Sequence, residues 1–151
     1  MPPEARLCIG AFPVELLWEL AQSPLYADTY VESLGTVLWY RIHCAAGDVL
    51  ILLAAWLAAA GVARSRQWYR HPGVREWFAF VLLGLAYTSF SEWRALSVTH
   101  AWTYSTHMPT IAGIGLAPLV QWVVLPPWMP MIVRWSERVA VSRPPFAPDT
   151  R

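Results

Sequence analysis

The 151-residue chain contains no lysine; all 11 of its basic residues are arginine. Charge of either sign is scarce, at 14% of residues against about 25% in a typical soluble domain. A water-soluble protein of this size has a large surface for its volume and covers much of it with charge. Eleven basic and ten acidic residues set against 56% hydrophobic ones are too few for water and suit lipid. The net charge of +1 comes with no basic stripe and no recognition motif, so nucleic acid is not an expected partner. The two cysteines, Cys8 and Cys44, make no disulfide framework. CxxC, HxxxH and MxxM spacings are all missing, so no metal and no other cofactor is expected. The start of the chain has no basic region leading into a clean apolar stretch, so a cleaved signal peptide is not expected. No solenoid-type repeat is visible.

Ten tryptophans and six tyrosines are present, rings that membrane interfaces favour. Four apolar segments stand out. One runs from Leu7 to Tyr26, interrupted by Glu15 and Glu19. A second runs from His43 to Val62, with Asp48 near its start. A third runs from Trp77 to Trp93 and ends at Glu92. The fourth lies within Met108 to Val133, where there is no charged residue. About 20 helical residues cross the ~30 Å hydrocarbon layer. The expectation is an all-α integral membrane bundle of four transmembrane helices, at about 7–26, 43–63, 76–94 and 110–133. They form one transmembrane helical domain, 1–141, with a proline-rich tail, 142–151, expected to be disordered. Val49–Ala63 and Trp77–Ser91 are uncharged runs of only 15 residues, a length that also fits core helices of a soluble protein. Flanking Arg and Glu can snorkel, and Trp can sit at headgroup depth, which extends such runs enough to span. Segment 7–26 either spans or lies as an amphipathic helix in the interface. Pro126 and Pro127 are expected to end or kink the fourth helix.

Arginine placement orients the bundle. Arg6, Arg64, Arg66, Arg70, Arg75, Arg134, Arg138, Arg143 and Arg151 fall on one side; only Arg41 and Arg94 fall on the other. This bias fits the positive-inside rule with both termini cytoplasmic. A three-span arrangement would leave the N-terminus outside. The localisation that follows is a bacterial inner membrane, crossed several times.

Ionisable groups inside a membrane are costly and mark functional sites. Glu15, Glu19 and Gln22 share one face of the first helix by their spacing of four and three. Cys44 and Asp48 share a face of the second, Gly84, Thr88 and Glu92 one of the third, and Ala117 and Gln121 one of the fourth. By the topology, Glu19, Gln22, His43, Cys44, Asp48, Glu92, His100, His107, Met108 and Gln121 lie from mid-membrane outward, which implies a polar cluster or cavity there. Three readings compete. The acids glue helices together, with Arg41 or Arg94 paired to Asp48 or Glu92. Alternatively Glu15, Glu19 or Glu92 acts as an acid on an apolar substrate. Or His43, Cys44, His107 and Met108 bind a soft ion such as copper, a reading no ligand spacing supports. His71 reads as solvated beside the arginines, meeting anionic lipid. Trp102, Tyr104 and Trp122 read as interfacial anchors rather than a ligand cage.

Pro13-Val-Glu15-Leu-Leu-Trp18 resembles the P-x-E-E-x-x-F motif of the small membrane lycopene cyclases. Glu92-Trp-Arg-Ala95 with Trp102-Thr-Tyr104 is similar to that family's acid, alanine and W-x-Y pattern, and Pro118-Leu-Val-Gln121 stands where a further proline motif would follow. The doubled glutamate is missing at both prolines, and Gln121 is no acid. The resemblance covers about a third of the chain and implies a bundle handling long isoprenoids, with Glu15 and Glu92 as acids and charge stabilisers. The start Trp18-Glu19-Leu-Ala-Gln22-Ser-Pro24-Leu-Tyr26 resembles that of many uncharacterised small bacterial inner-membrane proteins, a likeness that carries no activity. The leading functional expectation is a non-catalytic accessory or assembly component of a membrane complex, partnered by lipid and other membrane subunits. The alternative is a small membrane enzyme acting on an apolar isoprenoid or lipid.

Overall fold

A computed structural model describes residues 1–142. The chain is mostly helical. Its helices are α1 (Pro3–Gln22), a short α2 (Asp28–Val31), α3 (Leu34–Ala63), α4 (Val74–Arg94), α5 (Leu116–Val124) and α6 (Met129–Ser142). Two stretches are long and apolar enough to cross a membrane: Leu34–Ala63 and the α5–α6 stretch Leu116–Ala140. Helices α1 and α4 have 20 and 21 residues, long enough to span, but carry Glu4, Arg6, Glu15 and Glu19 and Arg75, Glu76, Glu92 and Arg94 respectively. α3 packs against both α1 and α4, α6 against α1, and α5 against α4.

Several boundaries differ from the sequence expectation: α1 is Pro3–Gln22 rather than 7–26, and the last helix runs to Ser142 rather than to 133. α3 begins at Leu34, not near His43. Ser33 caps it, its hydroxyl accepting from the Thr36 N–H at 3.2 Å, and Arg41 falls inside the helix. The apolar run from Thr110 does not begin as a helix. Thr110–Ile111 (β1) pairs with Ile114–Gly115 (β2) across a two-residue turn with positive φ at Ala112 and Gly113, the geometry that suits the twist of a tight hairpin. The proline pair breaks the last helix without ending it. α5 gives way to a 3₁₀ turn, Pro126–Trp128, and α6 resumes at Met129. Pro118 and Pro130 lie in the first turns of α5 and α6, where a missing N–H costs little. Of the tail expected to be disordered, Ser142 closes α6; the rest lies outside the described residues.

The interior is divided along the bundle axis. At the end carrying the arginine-rich connection it is apolar and aromatic. Trp56 of α3 meets Trp68, Tyr69 and Phe80 at ring-centroid distances of 4.8, 5.1 and 6.1 Å, with Leu7, Ala11, Met129 and Val133 in the same core. Tyr69 and Arg70 fasten that connection to α6 by donating to Glu137 at 2.5 and 3.2 Å. At the hairpin end the buried residues become polar: Glu15, Glu19, Gln22, Arg41, Thr88, Glu92 and Gln121. The outer surface is the reverse. Glu15, Glu19 and Glu92 are 2–6% exposed, whereas Leu17 and Leu50 are each 67% exposed, amid a coat of Phe78, Leu82, Phe90 and Val123. Acids inside and large hydrophobics outside invert the arrangement that water selects.

Candidate functional site

The polar half is held by side chains from every long helix. Gln121 of α5 sits between α1 and α3. Its amide nitrogen donates to Glu15 at 2.7 Å and to Asp48 at 3.0 Å, so one group registers three helices. Glu19, one turn beyond Glu15, accepts from Gln22 at 2.6 Å, and Gln22 in turn accepts from the Trp18 indole at 3.2 Å. On α4, Glu92 accepts from the Tyr104 hydroxyl and from the Trp102 indole at 3.4 Å. Tyr104 is fixed by the hairpin, its oxygen accepting from the Gly115 N–H at 2.7 Å. Backbone bonds from Ala27 to Thr103 and from Ser105 to Leu25 join the two connections at this end.

Neither ion pair expected from the sequence forms. Arg41 does not meet Asp48 or Glu92; its Nη2 grips both oxygens of Asp28, at 2.7 and 2.8 Å, while its Nε donates to Ser23 at 2.9 Å. Its guanidinium also lies 5.0 Å from the Tyr26 ring. The turn that brings Asp28 over α3 supplies a nearer carboxylate than any on the helices. Arg94 is exposed at the end of α4, away from this arrangement. Of the three rings expected as interfacial anchors, Trp122 is instead in the interior. Trp122 is buried against Gly84, where any Cβ would fall within its ring, and Trp102 and Tyr104 are half-buried hydrogen-bond donors to Glu92.

Between these groups lies a cavity of about 920 Å³. Glu19, Gln22, Cys44, Asp48, Glu92 and Gln121 line it, with His43 at its exposed rim; Glu15 stands behind the wall, reached through Gln121. Of the candidate residues, only Glu15 is thus set back. The remaining lining is mostly apolar, and it includes Leu50, Ala54, Leu83 and Tyr87, which are themselves exposed on the outer surface. The lining also includes exposed Glu32, His100 and Ala101, so the cavity reaches the surface both through the apolar coat between α3 and α4 and at the hairpin end. His43 and Cys44 reach it, but His107 and Met108 do not: His107 is exposed near Tyr30, and Met108 is buried under the hairpin beside Gly115. Among the described residues no three of His, Cys, Asp and Glu are arranged to hold a metal ion. Cys8 and Cys44 are both free thiols.

Sequence reasoning missed Asp28, the partner of Arg41, and the particular condition of Thr88. Thr88 is 7% exposed and on the cavity wall, and its hydroxyl has no hydrogen-bond partner among the described residues. Spacing placed Thr88 on the right face but does not show that its helix leaves the hydroxyl unbonded. Gly47 also lines the cavity, and a Cβ there would meet nothing within 4 Å. Compared with known proteins, the chain matches no family model, no curated protein and no solved structure, so any functional reading rests on this geometry.

Proposed function

We propose that this chain is a four-pass helical protein of a bacterial inner membrane, both termini cytoplasmic, that receives an apolar isoprenoid or lipid in its carboxyl-lined cavity. In this reading α1, α3, α4 and the α5–α6 pair all span. The apolar coat supports lipid as the solvent around all four, since the mid-helix acids Glu15, Glu19 and Glu92 are buried, while Glu4 and Glu76 stand in the first turns of α1 and α4, where they can reach the headgroups. The arginine-rich connection and the end of α6 face the cytoplasm, so the polar half and its cavity belong to the outer leaflet side.

One observation carries the functional reading: a cavity holding Glu19, Asp48 and Glu92 opens through exposed Leu50 and Leu83, so a membrane-dissolved molecule reaches the acids without crossing water. Such pockets, apolar with a few convergent polar groups, are the usual form of ligand sites. In the enzymatic version of this reading, Glu19 and Glu92 are the groups placed to act as acids on the ligand, with Glu15 behind them. A non-catalytic accessory subunit remains the second reading, favoured by one feature: Glu15, Asp48 and Glu92 each accept a hydrogen bond from a neighbouring element, as structural glue would.

Native mass spectrometry of protein purified in a gentle detergent separates the two. The ligand reading expects a co-purifying lipid or isoprenoid that Gly47→Leu, which fills the cavity from an open position, removes. A stoichiometric protein partner, unchanged by Gly47→Leu and with no small molecule retained, supports the accessory reading.

A further inference from the structure

We infer that the polar end of the cavity's occupant is a cation, an ammonium headgroup on an apolar chain. This rests on the ligand reading above and deepens it. The argument is a balance of donors and acceptors. Both hydrogens of the Gln121 amide are directed at Glu15 and Asp48, Gln22 donates to Glu19, and the Trp102 and Tyr104 donors are directed at Glu92. A carboxylate offers about four lone-pair sites. Asp48 and Glu19 each accept one of these bonds and Glu92 two, so acceptor capacity is left over on all three.

Charge points the same way. Among the described residues Arg41 is the only arginine lining the cavity, beside the exposed His43 and His100, and Asp28 already holds it through both oxygens. Glu19, Asp48 and Glu92 have no cation of their own within salt-bridge distance among the described residues. A phosphate or carboxylate headgroup would find no free arginine or lysine to pair with there among the described residues. A bare metal ion is not favoured, because no three ligands converge. An ammonium supplies three hydrogens and a positive charge to an ionised carboxylate, and a neutral amine that meets a protonated carboxyl gives the same pair by taking up that carboxyl's proton.

A second, independent feature is Thr88. Its hydroxyl oxygen is more than nine-tenths buried, lines the cavity and has no partner among the described residues. Buried polar atoms are nearly always bonded, and an orphan on a cavity wall marks a place for a ligand hydrogen. Tyr87 and Trp102, aromatic rings of the kind that attract cations, line the same cavity, while Leu50, Ile51 and Leu83 offer a path for the chain.

The test uses wild-type protein in one fixed detergent and three labelled probes with the same chain: oleylamine, oleyl alcohol and oleic acid, measured by scintillation proximity. The amine is expected to bind at least about tenfold tighter than the alcohol, with the acid weakest. In the double variant Asp48→Asn, Glu92→Gln, amine affinity should fall by at least about tenfold and alcohol affinity should hold. Thr88→Val should weaken the amine a few-fold. Alcohol or acid binding as tightly as the amine to the wild type overturns the cationic headgroup and leaves the lipid cavity standing. Binding of none of the three overturns both, and the wild-type comparison requires no variant to fold.

Discussion

Gly84 of α4 lies directly beneath the indole of Trp122 on α5, and its missing side chain is what lets the two helices meet. Phe80 and Thr88, a turn to either side, are buried on the same stripe. Gly84→Ala should therefore overpack a site that cannot move aside cheaply, because Trp122 is itself buried. The expected cost is about 1–3 kcal/mol, read as a lowered thermal midpoint in detergent. An unchanged midpoint would place α5 elsewhere.

Gly47 gives the opposite expectation. It is a helix-interior glycine whose Cβ would enter open cavity, so Gly47→Leu should gain helix propensity of about 0.5–1 kcal/mol while excluding any occupant. Thermal unfolding and ligand content should move apart in this variant: more stable protein, less bound lipid. A destabilised protein would mean the position is packed.

Arg41 and Asp28 should not be equivalent. Arg41→Ala strands a partly buried carboxylate and removes the bonds to Ser23 and Thr29, one each, so it should cost about 3–5 kcal/mol. Asp28→Ala leaves the guanidinium with Ser23, Thr29 and a cavity rich in acids, and should cost less. Unfolding of both variants in the same detergent gives the order directly; equal costs would mean the cavity acids do not help hold Arg41.

Tyr104 carries a pH prediction. Burial, then its hydrogen bond to Glu92, raises the phenol above its ordinary value. A folded-state value above the unfolded one means the tie between hairpin and α4 is fully present below about pH 10 and is lost as pH rises through the higher folded value. The tyrosinate ultraviolet band of the wild type minus that of Tyr104→Phe should titrate above the usual tyrosine range. A difference centred at or below about pH 10 would contradict it.

The parts of this arrangement that follow from spacing were legible in the sequence. Glu15, Glu19 and Gln22 do share the inward face of α1, and Gly84, Thr88 and Glu92 that of α4, because a helix repeats every three to four residues. What spacing cannot carry is which distant residue closes on which. Arg41 read as the limit of a span because its charge was counted alone; Asp28, brought over it by the turn after α1, lets α3 run on to Leu34. Trp122 read as an anchor because tryptophans favour interfaces; only the space at Gly84 draws it inward. The apolar run from Thr110 hid a hairpin whose turn rests on positive φ at Ala112 and Gly113, without the Asn-Gly or Asp-Gly pair that usually announces one.

The proposed orientation of the bundle in lipid underlies both the setting and the ligand proposed for the cavity, and labelling tests it most directly. In a Cys8→Ser, Cys44→Ser background, His71→Cys places a thiol in the exposed arginine-rich connection and His107→Cys places one in the exposed connection at the hairpin end. A membrane-impermeant maleimide added to intact spheroplasts should label the His107→Cys protein at once, and the His71→Cys protein only after lysis. Labelling of both from the same side, or recovery of the chain in the soluble fraction, would contradict the account.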